Sequence, residues 1–395
     1  MAFFNFTRRT PTSAPDQKAL SLTDPGILDL FGAVPTGSGI TVSAATAMRV
    51  PAVAAAVGLI AETIGTLPVK LHDRQSKATI TDHPAARLLH REANPWTSAG
   101  QLRTDLALDA LTRDGGGFAL VTRRTDGRPA ELHRLDPSKV TVEIAGDGEP
   151  SYIVQHDQRR VRYAYTEIMH VRALGGLCPI TLGREAIGLA IAFEQHVGQL
   201  FRNGGRPSGI ITSPKSLDPE AKRKLAASWF ATHAGKAAGG TALLDEGMAY
   251  QQLATTLADA QFAENRVEQI REIARAFRIP APMIGELGRA TWSNLEQLNR
   301  QFLQSTLAPW LRTFEACYSR VLLTDEERET LRIEFVSDAL LESDAAAKAT
   351  AYGQYRAMGA MSANEVRAGL NLPRHEDGDD LANPYTTSPT PEASE

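Results

Sequence analysis

The chain has 395 residues, 43% hydrophobic and 22% charged, enough to bury a sizeable core and to form one to three globular domains. Its two cysteines, Cys178 and Cys317, are far apart and lack any CxxC or Cys/His spacing, which argues against a disulfide framework or zinc module and fits synthesis in a reducing cytosol. A net charge of −4 speaks against a protein that grips nucleic acid, because such grip comes from Lys and Arg neutralising phosphates.

Residues 1–41, rich in Thr, Ser, Pro and Gly, read as a flexible arm; a disordered tail is the favoured reading, with docking of Phe3, Phe4 and Phe6 as aromatic anchors on a neighbour as the alternative. Its charges follow the aromatics and no extended apolar run is present, so it does not read as a signal peptide. Ser43 is an N-cap candidate, and 44–65 carries only Arg49 and Glu62 as charges, which predicts a buried helix interrupted at Pro51. The weakly polar run 50–61 is too short to span a bilayer, so no membrane partner is expected.

Residues 67–72 alternate as a strand, and Asp82-His83-Pro84 starts a short helix through Leu88, Leu89 and His90. His83 and His90 have no acidic or cysteine partner at ligand spacing, so a capping or surface role outweighs a metal site. An amphipathic helix over 100–111 ends in Asp114-Gly115-Gly116-Gly117, and strands follow at 118–122, 131–135, 140–144, 152–155, 161–165 and 168–172. Asp126-Gly127, Asp136-Pro137 and Asp147-Gly148 separate several of them, the pattern of an antiparallel layer. The glycine cluster lacks the G-x-x-x-x-G-K-[ST] spacing of a phosphate loop and reads as a turn before a strand.

A helix over 183–203 turns Ile187, Ala190, Ile191, Val197, Leu200 and Phe201 inward and carries the small residues Ala186, Gly188, Ala192 and Gly198. A strand (208–212), a helix capped by Asp218 (219–233) and two strands (241–244, 248–253) form an insert before the next long helix, 258–278. In that helix Phe262, Val267, Ile270, Ile273, Ala274 and Phe277 share a face opposite Glu264, Glu268, Arg271, Glu272, Arg275 and Arg278. Pro280 and Pro282 stop it, and the loop 279–292 contains only Glu286 and Arg289 as charges, which cancel. Ser293-x-x-Glu296 then opens a helix running to Leu322, uncharged from Gln301 to Leu311 and expected to kink between Ser305 and Pro309. A strand (331–335), a helix (342–358) and a last helix capped at Ser362 precede a Pro/Ser/Thr-rich tail from 382.

Several of these residues carry a family resemblance. Ile279-Pro280 followed by Asn294, Glu296, Gln297, Asn299 and Phe302, then Thr306, Leu307, Pro309, Trp310 and Leu311, resembles the portal proteins of tailed bacteriophages, closest to the HK97-type branch. Further matches are Leu67, Pro68, Leu71, Asp82, His83, Pro84, Leu88, Leu89, Asn94, Pro95 and Trp96, and near the end Ser362, Asn364, Glu365 and Arg367; the likeness covers roughly 42–381. Where many members have Gly-Asn-Ala-Tyr, this chain has Gly115-Gly116-Gly117-Phe118.

The resemblance implies an α+β portal fold: an arm (1–41), a mixed α/β wing (42–182), stem helices (183–207 and 255–278) flanking a small α/β clip (208–254), a tunnel loop (279–292), a long kinked helix with a returning wing strand (293–341), a crown-like helical region (342–381) and a disordered tail (382–395). It also implies a ring, usually of twelve copies, at one capsid vertex of a phage or phage-like gene transfer particle, made in the host cytoplasm. Its implied partners are double-stranded DNA in non-specific passage, the large terminase subunit, head-completion or adaptor proteins and the major capsid protein, with no cofactor. By position, Gly285, Glu286, Leu287, Gly288 and Arg289 would line the DNA channel, and Lys222, Arg223 and Lys224 of the clip would meet the motor or adaptor.

Two other classes compete. Catalysis would need a signature such as G-x-S-x-G, H-E-x-x-H or a Walker or kinase motif, and none is present. A non-catalytic DNA-binding or scaffold protein of a phage-like particle would need a basic face, yet the most basic helical cluster, Lys222-Arg223-Lys224, is flanked by Asp218 and Glu220.

Overall fold

The computed structural model describes residues 35–157, 159–202, 209–212, 218–224, 227, 248–252, 258–286, 295–337, 345–370 and 372–381. Outside these lie Phe3, Phe4 and Phe6, most of the clip, Leu287 to Trp292, the capping residue Ser293 and the tail from 382.

Ser43 caps α1 (Ala44–Ala47) through a capping box with Thr46. Pro51 then opens α2 (Pro51–Thr66), because a proline at the first helical position removes an N–H that has no intrahelical partner anyway. The interruption read at Pro51 is thus a restart. β1 (Val69–Asp73) buries Val69 and Leu71 and pairs antiparallel with β12 (Leu331–Phe335), the returning strand. α3 (Pro84–His90) follows, then β2 (Glu92–Asn94) and β3 (Thr97–Ser98), a small hairpin that periodicity did not reveal because its strands are too short to alternate.

Ser98 caps α4 (Ala99–Thr112), accepting from the Gln101 N–H at 3.1 Å. The six expected strands are present as β4 (Gly117–Arg123), β5 (Pro129–Leu135), β6 (Val140–Ile144), β7 (Pro150–His156), β8 (Arg159–Tyr163) and β9 (Ile168–Val171). They form two antiparallel three-stranded sheets, ordered β5-β4-β9 and β6-β7-β8. Asp126, Asp136 and Asp147 each accept the backbone N–H two residues on, the turn chemistry their positions predict. Buried Phe118, Tyr152 and Ile168 pack the two sheets together. In the glycine cluster, Gly116 has φ +82°, and a Cβ there or on Gly117 would strike the backbone of β9 or α4. The cluster is a close-packed turn into β4.

Next come α5 (Pro179–Leu182), α6 (Arg184–Arg202), β10 (Gly209–Thr212), β11 (Ala249–Gln252) and α7 (Ala258–Phe277), then α8 (Leu295–Gln301), a π-helical turn (Phe302–Leu307) and α9 (Ala308–Leu322). Proline cannot donate and its ring crowds the carbonyl four residues back, so Pro309 disturbs the preceding turn. The helix accommodates it in the π turn, where the Ala308 N–H reaches the carbonyl of Leu303. Among the described residues α10 (Asp325–Thr330), α11 (Ala345–Ala357) and α12 (Ala363–Gly369) are the last helices, with capping boxes at Thr324/Glu327 and Ser362/Glu365.

The described residues divide into two compact units, one drawn from Met1–Ala56, Pro179–Phe277 and Ile284–Glu286, the other from Val57–Cys178, Arg278–Met283 and Leu287–Glu395. In the second unit Arg103 of α4 is only 5% exposed. Its guanidinium donates to the carbonyls of Ile64 (3.3 Å), Gly65 (2.9 Å), Leu67 (3.2 Å) and Leu89 (2.9 Å). Those are the orphan acceptors at the ends of α2 and α3, so the cation caps both helices at their negative ends. Asp109, also on α4, takes a bidentate pair from Arg134 at 2.7 and 2.8 Å. Near the end of the chain buried Asn364 donates to the His375 carbonyl and Asp379 Oδ1, both at 2.9 Å, and accepts the His375 N–H at 2.7 Å.

Candidate functional site: the α7 helix and the loop it feeds

α7 keeps the amphipathic division read from its sequence: Ile273, Ala274 and Phe277 are buried and Val267 and Ile270 half-buried, whereas Glu264, Glu272, Arg275 and the following Arg278 are exposed. The helix ends where Arg278 adopts φ +59°. A left-handed conformation costs a non-glycine residue about 1 to 2 kcal/mol. Part of what holds it lies in the second unit, where the Thr306 hydroxyl donates to the Arg278 carbonyl. Thr306 sits in the π turn and is 3% exposed. Pro280 then bars further helix, and its carbonyl accepts the Met283 N–H at 3.0 Å in a 3-10 turn, Ala281–Ile284.

Gly285 follows with φ +98°, a conformation for which only glycine is unstrained, and points into open space. Within the first unit Glu286 turns back onto α7, its carboxylate 3.1 Å from Arg271 and its side chain 12% exposed. Arg271 also meets Glu268 at 3.3 Å, and Arg275 joins Glu268 at 2.7 Å and pairs with Glu272. Hydrogen bonds from Arg275 and then Arg271 hold the Glu268 carboxyl below its ordinary range, and the bonds to Glu286 and Glu268 push the Arg271 guanidinium up. The partner of Glu286 is therefore Arg271, fifteen residues earlier. Leu287, Gly288 and Arg289 lie outside the described residues.

On the insert, β10 and β11 pair antiparallel. Asp218 Oδ1 accepts the Ala221 N–H at 2.6 Å, the cap its position predicts. Lys222, Arg223 and Lys224 are all exposed, and Lys224 pairs with Glu220 at 3.0 Å along the helix. Their structure gives them a solvated face, with Lys224 partly neutralised.

His83 is the N-cap of α3: its Nδ1 accepts from the Ala85 N–H at 3.1 Å, which leaves Nε2 to donate to Glu327 at 3.1 Å. Among the described residues no group of three or more His, Cys, Asp or Glu side chains could hold a metal ion, and no helix is long and apolar enough to cross a membrane. Both cysteines are buried and neither forms a disulfide, and burial raises the Cys317 thiol to about 11.

Sequence reasoning did not find the roles of Arg271 and Thr306. Thr306 was visible as a fixed letter in a motif, but its contact with Arg278 spans 28 residues, and no periodicity reports such a contact.

The sequence pattern of the phage portal protein family matches residues 51–371. The portal protein of Enterobacteria phage HK97 is 28% identical over 336 residues, 82% of this chain and 78% of that one. The probable portal protein of Streptomyces phage phiC31 is 29% identical over 376 residues, 90% and 81%. Among solved structures, a chain from the neck of a native gene transfer agent particle, computed with C12 symmetry, superposes with a TM-score of 0.59 at 25% identity, covering 88% of this chain and all of that one. The match over most of its length, and the open antiparallel sheets and long helices just described, place this chain in the phage portal protein family.

Proposed function

We propose that the chain forms a ring, of twelve copies, at one vertex of a phage or gene transfer particle, through which double-stranded DNA is packaged and released. The observation that carries this reading is the family match over 51–371. The neck neighbour with C12 symmetry supports the copy number. So do α6 and α7, whose apolar residues Leu189, Ile191, Val197, Val267 and Ile270 are left half-buried or exposed in a single copy. Twelve helices at about 9 to 10 Å between axes make a ring about 36 Å across, and subtracting a helix diameter of about 10 to 12 Å leaves a bore of about 25 Å, just wider than duplex DNA.

In this reading the chain acts by position and charge, without a catalytic step. Loop 279–292 lines the channel, with Gly285 and Gly288 as hinges, and the clip is the docking surface for the terminase motor and later for head-completion proteins. The weak charge of the loop suits passage, because repeated phosphate contacts around a ring would turn a conduit into a clamp. Negative-stain images of the purified protein test it: rings with a central hole are expected, and monomer at every concentration and salt, in particles as well as in solution, overturns it.

A further inference from the structure

In the first unit a cavity of about 280 Å³ opens between α6, α7 and the start of α2, lined chiefly by Ala55, Ala190, Phe193, Val197, Ile270 and Ile273. An apolar cavity of about 150 Å³ already accepts benzene, so this one has room for a phenyl ring. Gln269 also lines it, and its Oε1 is shielded from solvent with no hydrogen-bond partner. An unsatisfied acceptor beside an apolar cavity suits a peptide segment that brings both an apolar side chain and a backbone N–H.

The lead-in to the described chain lies on the other side of α6. Thr36 packs its side chain against Gly188, 2.6 Å from where a Cβ would stand, and the Gly37 N–H donates to Glu185 Oε2 at 2.9 Å. At about 100° per residue, Gly188 faces nearly opposite to Ala190, Phe193 and Val197, with Glu185 about 60° from Gly188. One side of the helix holds the chain leading back to residues 1–34, and the other side holds the cavity. A surface with its plug on one side and its socket on the other is self-complementary head to tail, the arrangement that closes into a ring.

We propose that the arm of one copy inserts Phe3, Phe4 or Phe6 into the α6–α7 cavity of the next copy; this rests on the ring-forming reading above. The 34 residues before Pro35 span up to about 110 Å when extended, far beyond the about 10 Å between neighbouring helices. The cavity rim carries both Glu194 and Arg266, so apolar fit rather than net charge sets which aromatic enters.

Cross-linking of the full chain tests this, since native Cys178 and Cys317 are buried and stay out of mild oxidation. Wild-type protein is first imaged. If it forms no rings, the ring-forming reading fails and the inference with it. Given rings, the double variant F4C/V197C, with F6C/A190C to cover a shifted register, is oxidised and run in SDS without reductant. The expected result is a ladder of covalent multimers absent from each single variant. Disulfide-closed monomers would put the arm in its own groove, dimers from F4C or F6C alone would mean arm-to-arm contact, and intact rings without cross-links would leave the groove unoccupied by the arm. Each of these overturns the inference. A triple variant F3A/F4A/F6A should exchange subunits between rings at least tenfold faster, and an unchanged rate would also overturn it.

Discussion

The hydroxyl of Thr306 donates to the carbonyl of Arg278, the residue whose left-handed backbone ends α7. The contact ties the foot of the loop to the π turn of the long helix. It also explains why a polar side chain is buried at that turn, since Thr306 gives an otherwise orphaned carbonyl its donor.

Thr306→Val keeps the shape and removes the donor. It should destabilise the protein by about 1 to 3 kcal/mol, the cost of a buried acceptor left without a partner. Thr306→Ser should recover most of that loss. Thermal unfolding of both variants measures it, and hydrogen exchange should show faster opening at 278–283 in the valine variant alone.

Glu286→Lys removes one of the two carboxylate partners of Arg271, leaving Glu268, and sets a second cation against it. With Arg289, the introduced lysines would place about two dozen positive charges around a twelve-fold bore, and phosphate attraction should slow DNA movement. Rings should form normally while packaging or DNA release is retarded, more so at low salt. Glu286→Gln, which still accepts a hydrogen bond from Arg271, should behave close to wild type. Deleting residues from 285–288 should act like the lysine variant by stiffening the loop. Packaging assays at several salt concentrations read the outcome, and normal rates for both defective variants would remove the loop from the channel.

Reversing Lys222, Arg223 and Lys224 to glutamate should leave ring assembly intact and impair motor or adaptor binding. Lys224 alone should contribute least, because Glu220 already takes up part of its charge in an exposed pair of the kind worth under about 1 kcal/mol. Pull-downs with the cognate motor, alongside ring imaging, separate docking from assembly.

His170 gives a pH prediction. Burial lowers it to about 4 from 6.5. The neutral ring is well served: Nδ1 faces the Tyr152 hydroxyl at 3.1 Å and Nε2 faces the Gly115 carbonyl at 2.8 Å, a set satisfied when Nε2 carries the proton. The unfolded chain binds this proton first, so the contribution of His170 is complete above about pH 6.5 and is lost as pH falls towards about 4. The slope cannot exceed about 1.4 kcal/mol per pH unit for one proton. Melting temperature against pH should fall across that window in wild type and fall less steeply in His170→Gln.

Much of the fold was legible because local rules decided it. Ser43 and Ser362 announce their helices as caps, Pro51 marks a helix boundary, and the Asp-containing turns between β4 and β9 mark where one strand ends and the next begins. What stayed hidden depends on closure in three dimensions. The amphipathic pattern over 100–111 does not show that Arg103 reaches the ends of two other helices; α10 is too short to show a period; and Glu286 sits nearer in sequence to Arg289 than to Arg271, its ion-pair partner. The division of the six strands into two sheets was likewise invisible, since alternation reports which face is buried and not which neighbour is paired.

The Arg103 guanidinium has four backbone carbonyls as acceptors, drawn from the end of α2, the approach to β1 and the end of α3. If any one of these segments frayed alone, the cation would lose acceptors while still shut away from water, so separate loosening is penalised and joint loosening is not. The three segments should therefore open as one cooperative block, with amide protons at 64–67 and 86–91 sharing a single exchange free energy.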